Sequence, residues 1–74
     1  LWLWSIAPGV TYQATGEKAE EYALLLEGEL ELRFSDRLLT VLPGNAIALP
    51  LQQAYSLTAK GSVAARFVLM FVPA

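Results

Sequence analysis

Seventy-four residues make one domain, and a domain that small buries only about 60% of its unfolded surface. With no Cys and no His, disulfide and zinc staples are excluded, and a net charge of −2 with a pI of about 4.8 excludes the basic footprint of a nucleic-acid binder. Against that, 55% hydrophobic and only 16% charged residues is more apolar side chain than a small monomer covers, which predicts oligomerisation, attachment to a further domain, or both.

In chain order, Leu1–Ala7 reads as a strand in which Leu1 and Leu3 alternate with Trp2 and Trp4, so both faces are large and apolar. Pro8-Gly9 is a turn, because Pro fixes φ and Gly tolerates positive φ. Val10–Gln13 is a short β-rich stretch, and Ala14–Ala19 reads as a polar loop.

Glu21–Phe34 is the stretch around which the chain is organised. Leu30, Leu32 and Phe34 fall on one face, and Glu29, Glu31 and Arg33 on the other, the period of a strand with one buried face. Tyr22–Leu26 is apolar on both faces, which suits a strand covered on both sides. Gly28 lies between the halves, where a missing Cβ permits a sharp bend. Ser35-Asp36 is a hairpin tip, and Arg37–Leu42 is the returning strand.

Pro43-Gly44-Asn45 is the strongest turn signal. Ala46–Leu49 is a short strand stopped by Pro50, Leu51–Gln53 is loop, and Ala54–Ala59 is strand. Lys60-Gly61 is a turn, and Ser62–Val72 reads as a long final strand. No helix, repeat, linker or low-complexity tract is evident. Short strands punctuated by turns predict an all-β sandwich or barrel.

Leu38–Ala59 carries no charge, but Pro43, Gly44, Asn45, Pro50, Gln52 and Gln53 interrupt it well short of the ~20 apolar residues of a membrane span. Leu1–Ile6 lacks the basic region of a signal peptide, so the expected location is the cytoplasm. A chain opening on Leu, with Met70 its only Met, reads as a piece of something longer.

Two Gly-anchored spacings carry the site. One runs Gly9, five residues, Thr15, one, Glu17, three, Glu21, six, Gly28. The other runs Gly44, five residues, Pro50, one, Gln52, two, Tyr55, three, Ala59. They resemble the two motifs of the cupin superfamily, Gly-x5-His-x-His-x3/4-Glu-x6-Gly and Gly-x5-Pro-x-Gly-x2-His-x3-Asn, and the short stretch Glu29–Pro43 between them is like that of compact bacterial members. The resemblance covers nearly the whole chain and implies a small jelly-roll barrel (a double-stranded β-helix).

The departures bear on chemistry. Thr15, Glu17 and Tyr55 stand where the family has metal-binding His, and only Glu21 of the four family ligands is kept. Gln52 replaces the second motif's Gly, and Ala59 its Asn. Without imidazole or thiolate a tight transition-metal site is not expected, and no Ser–His or Cys–His pair can form. No metal, cofactor or catalytic residue is therefore assigned.

The cavity candidates are Tyr12, Thr15, Glu17, Glu21 and Tyr55. Each has a plainer reading: Glu21 as a solvated strand start, Glu17 as part of an exposed turn, Tyr12 as rim packing and Tyr55 as a ring filling vacated space. An inward Glu21 needs a partner or its pKa rises, and the Tyr55 hydroxyl and Lys18 are the partners to hand. Trp2 and Trp4 read as interface or core in preference to ligand-stacking aromatics, and Gln52 and Gln53 as rim.

The strand openings LWLWSIAPG and EYALLLEGELEL resemble the C-terminal cupin domain of bacterial helix-turn-helix (XRE-type) transcription regulators. That likeness implies a non-catalytic homodimerising domain open to a small organic ligand, with DNA reached only through a domain outside this chain and no membrane partner. Two alternatives stand beside it: a metal-independent isomerase or lyase using Glu21 and Tyr55, and a purely structural dimerisation module with a filled barrel.

Overall fold

A computed structural model describes residues 1–72. Eight strands follow one another: β1 (Trp2–Ile6), β2 (Thr11–Thr15), β3 (Glu20–Glu27), β4 (Glu29–Phe34), β5 (Arg37–Val41), β6 (Ala46–Ala48), β7 (Ala54–Lys60) and β8 (Ala65–Val72). Among the described residues there is no helix, so none is long and apolar enough to cross a membrane. All neighbouring strands are antiparallel, in two four-stranded sheets ordered β1-β8-β3-β6 and β2-β7-β4-β5.

The chain changes sheet at every connection except the β4–β5 hairpin, and this alternation is what closes a jelly roll. The tightest change is from β3 to β4, through Gly28 alone. Gly28 has φ +85°, and a Cβ there would press on the backbone of Ala64 and Ala65, so the bend needs glycine for both reasons. Just before it the β3–β8 register shifts between Leu25 and Glu27, leaving Leu26 as the extra residue of a bulge that turns the strand toward the second sheet.

Period two then decides what each sheet buries. Trp4, Phe67 and Leu25 form one inward rung of the first sheet, and Trp2, Leu69 and Ala23 the next. Leu30 with Ala59, and Leu32 with Leu57, answer from the second sheet. Phe67, Leu25, Leu30, Leu32, Leu57 and Val41 are fully buried, each contributing about 1.5–3 kcal/mol of transfer free energy.

The outward faces differ. The second sheet turns Thr11, Gln13, Ser56, Thr58, Glu31 and Arg33 to solvent, with a Thr11–Thr58 hydroxyl hydrogen bond of 2.8 Å and a Lys60–Glu31 ion pair at 3.7 Å. The first turns out Leu3, Tyr22, Leu24, Val68, Met70 and the alanines of β6.

Two boundaries differ from the sequence reading by more than one residue. The final strand starts at Ala65, because Ser62–Ala64 complete the turn after Gly61. The loop expected from Ala14 is strand as far as Thr15, because β2 pairs with β7 through Ala14–Tyr55 and Thr15–Ala54. Tyr22–Leu26 was expected to be covered on both sides. Within the chain it is covered on one, with Ala23 and Leu25 buried and Tyr22 and Leu24 half-buried on the outer face.

Candidate ligand-binding site

The same alternation that buries Leu25 and Ala23 carries Glu21 onto the inward face as the next rung, paired with Phe71 of β8. Glu21 is 7% exposed, and its backbone carbonyl accepts the Leu49 N–H at 2.8 Å. From the other sheet Tyr55, beside Ala14, is equally buried. A cavity of about 270 Å³ with both residues in its wall opens at this end of the barrel.

Tyr12, Thr15 and Glu17 line its mouth, so all five cavity candidates from the sequence come together. Glu17 is exposed, as the turn reading has it, and still reaches the cavity. It is held there by the loop before β7. The Gly16 N–H donates to the Gln53 carbonyl at 2.9 Å, the Gln52 N–H donates to the Glu17 carbonyl at 3.3 Å, and a Cβ on Gly16 would overlap the Pro50 carbonyl. Gly16 thus serves a close approach of two backbones, a role the sequence reading of a plain polar loop did not contain. The glycine itself was the available signal. Gln52, at the position of the family's Gly, keeps a left-handed φ of 53°.

Trp2 and Trp4, read from the sequence as interface or core, also form cavity wall, and Trp4 packs against the core. The Trp4 ring lies 5.2 Å from Tyr12, tilted by 57°, and stacks on Phe67 at 6.5 Å. With Tyr55 and Phe71, six of the eight aromatic residues in the chain face this space. Phe67, Leu69 and Phe71 share one face in the sequence. That this face would meet β1 depends on a pairing between the two ends of the chain, which no local pattern encodes.

The electrostatics are one-sided. Burial pushes the Glu21 carboxyl above its ordinary value, and the neighbouring Glu17 carboxylate pushes it further. Burial pushes the Tyr55 phenol up to about 12, reinforced by Glu21, Tyr12 and Glu17. Lys18, expected as a partner for Glu21, does not reach the cavity, whose wall contains no Lys or Arg. Nor does the Tyr55 hydroxyl bond to Glu21. Among the described residues the Glu21 carboxylate has no hydrogen-bond partner, and its oxygens stay open to the cavity.

This donor set does not fit the metal that the fold family implies. Imidazole and thiolate are absent from the chain, and a phenol at about 12 stays protonated at neutral pH. Two carboxylates remain, too few oxygen donors for a cage around a hard cation. Among the described residues no three acidic side chains converge.

No protein-family model matches the chain, and no curated protein matches it. Solved structures do. The Cupin_2 domain of an XRE family transcriptional regulator from Enterobacter cloacae superposes with a TM-score of 0.78 at 22% identity, over 95% of this chain and 77% of that one. The plu4264 protein of Photorhabdus luminescens gives 0.85 at 15% identity, over 96% and 59%. TT1209 from Thermus thermophilus gives 0.80 at 21%, over 96% and 69%. Two antiparallel sheets that exchange the chain at nearly every turn around a one-ended cavity define a small jelly-roll barrel. The chain has the cupin fold.

Proposed function

We propose that the chain is a non-catalytic cupin domain that binds a small organic molecule in its cavity and pairs with a second copy of itself, as the effector-sensing part of a cytoplasmic transcription regulator. The observation that carries the binding role is the open, aromatic-walled cavity with an unpartnered carboxylate in its wall. A purely structural module would be expected to fill that space. At about 270 Å³ the cavity lies just below the usual ~300–1,000 Å³ range of small-molecule pockets, which suits a compact ligand.

Support for pairing comes from the outer face of the β1-β8-β3-β6 sheet, where Leu3 is 61% exposed beside Val68, Leu24 and Met70. Trp2, 63% exposed, lies on the opposite, inward face of edge strand β1, at the free edge of the same sheet. The regulator setting draws on the likeness to the Enterobacter cloacae domain. DNA contact would then belong to a separate domain, and a helix-turn-helix encoded upstream of Leu1 is the expected finding.

One observation favours an enzyme instead. A buried carboxyl titrating above its ordinary value is what a general acid or base needs. Its companion phenol does not help, since at about 12 it does not act as a base at neutral pH.

Thermal denaturation against a panel of small metabolites tests the binding role. Saturation at a hundredfold over Kd adds about 2.7 kcal/mol. In a chain of this size that raises Tm by on the order of 10 °C. A panel in which no compound raises Tm would count against ligand sensing and return the structural module to the lead.

A further inference from the structure

We propose that the cavity is selective for a small organic cation, an alkylammonium or quaternary ammonium group. This inference rests on the ligand-binding reading above and specifies its chemistry. Three observations converge on it.

The first is the wall. Trp2, Trp4, Tyr12 and Tyr55 present ring systems to a confined space, and ring faces carry the negative end of the aromatic quadrupole. Trp4 is held by its packing on Tyr12 and Phe67, so part of that surface is already organised. A cation against such faces gains about 0.5–1 kcal/mol where exposed and about 2 where desolvated.

The second is the unpartnered acid. Glu21 is more than nine-tenths buried, its oxygens open into the cavity, and no described side chain bonds to it. A carboxylate in a partly desolvated, apolar-walled cavity lacks a countercharge, which disfavours its ionised form. An ammonium group in the cavity supplies the missing positive charge.

The third is the sign of everything else. The titratable groups facing Glu21 are Glu17 from the β2–β3 loop, Tyr12 from β2 and Tyr55 from β7. None is basic. An anion would meet two carboxylates with no donor cation, and a neutral molecule would leave Glu21 without its countercharge. Binding of a cation also favours the ionised carboxylate, so affinity falls as the solution is acidified through the Glu21 midpoint.

Both tryptophans of the chain line the cavity, so their fluorescence and indole N–H resonances report on it without labelling. The probes are tetramethylammonium, tert-butanol and pivalate, similar in bulk and differing in charge. Tetramethylammonium does not titrate, so any pH dependence belongs to the protein. Tetramethylammonium should shift the Trp2 and Trp4 signals with an affinity about tenfold or more above tert-butanol, and pivalate should be weakest. Glu21→Gln should weaken tetramethylammonium about tenfold more than it changes tert-butanol, whose continued binding reports that the cavity is intact.

Tert-butanol or pivalate binding as tightly as tetramethylammonium would overturn the charge preference and leave the ligand-binding role standing. Tetramethylammonium binding equally well to Glu21→Gln would do the same. Tryptophan signals that respond to none of the three probes at millimolar concentration would overturn both.

Discussion

The two sheets share one core but present different surfaces. On β2, β7 and β4 of the β2-β7-β4-β5 sheet, inward Leu and Tyr alternate with outward Thr, Ser, Gln, Glu or Arg, and cross-strand pairs such as Thr11–Thr58 stabilise the solvated side; only edge strand β5 breaks the pattern, with Leu38 outward. On the β1-β8-β3-β6 sheet an apolar row crosses the outward face from Leu3 through Val68 and Leu24 to Ala46, with the polar outward residues Ser5, Arg66 and Glu20 to either side of it. The first pattern is that of a sheet with water on one side, the second that of a sheet with protein on both. The row from Leu3 to Ala46 gathers part of the apolar surplus on one outer face, while Leu38, Leu39 and Leu42 leave another part exposed at and after β5. A concentrated apolar face is what a two-fold partner covers, because a symmetric contact uses the same patch twice.

The largest expected effect comes from placing charge on each outer face in turn. Val68→Lys with Leu24→Lys on the apolar sheet should convert a particle of twice the chain mass into one of single mass by light scattering. A buried unpaired charge costs about 3–5 kcal/mol, which so small a fold cannot spare. Thr58→Lys on the polar sheet should leave the mass unchanged and stability within about 0.5 kcal/mol. Equal outcomes for the two sheets would remove the distinction and the paired assembly with it.

The tryptophans sharpen the comparison, because they sit on the inward side of the apolar sheet at its free edge. Trp4→Ala removes a half-buried ring that contacts Tyr12 and Phe67, and should cost about 3 kcal/mol in chemical denaturation. Trp2 is 63% exposed, so Trp2→Ala alone should cost about 1 kcal/mol or less. The double variant should be monomeric or unfolded by light scattering. A double variant that keeps the mass of a pair would separate the cavity wall from the assembly.

How much of this was legible in the sequence follows the same division. The polar sheet could be read almost residue by residue, because Glu29–Phe34 alternates cleanly and Leu30 and Leu32 are completely buried. The apolar sheet could not. Tyr22–Leu26 and Phe67–Val72 have no polar face to mark inside from outside, so period two gives no orientation there. Glu21 was placed by its spacing from Gly9 and Gly28, and the structure puts it in the cavity with Tyr12, Thr15, Glu17 and Tyr55. The aromatic wall was missed because β1 meets β8 across almost the whole chain length. Trp2 and Trp4 read as interface or core, and only that pairing turns them toward the cavity.

Glu21 ties stability to pH on the apolar sheet. Its folded carboxyl lies above the ordinary value, so the fold favours the protonated form. That contribution is fully present below the unfolded carboxyl value and is lost as pH rises through the folded one. Stability should therefore rise on mild acidification from neutral pH, through the folded Glu21 midpoint. Glu21→Gln should raise Tm at neutral pH and flatten this part of the profile. Carbon-detected NMR titration of the carboxyl gives the midpoint directly, and one at the ordinary glutamate value would place Glu21 in solvent and empty the cavity of its charge.

The smallest expected effect lies in the connections, and it distinguishes a link between sheets from a turn within one. Gln52 and Ser35 both adopt φ of 53°. Gln52 belongs to the crossing from β6 to β7, which joins the two sheets, whereas Ser35 tips the β4–β5 hairpin inside the polar one. For a residue with a Cβ this conformation costs roughly 1–2 kcal/mol. Glycine avoids that cost but adds about 0.5–1 kcal/mol of unfolded-state entropy. The difference leaves a net gain of about 0.5–1 kcal/mol for Gln52→Gly, or roughly 2–8 °C in Tm. Ser35→Gly should gain a similar amount, since the same strain is relieved. The two should part in the cavity. Gln52 donates its N–H to the Glu17 carbonyl, and its loop meets Gly16 through Gln53, so a looser backbone there frees the acidic mouth. Gln52→Gly should therefore stabilise the fold and broaden the Trp2 and Trp4 indole resonances, whereas Ser35→Gly should stabilise it and leave those resonances sharp. Identical spectra for the two variants would mean that the inter-sheet loop carries strain without positioning the site.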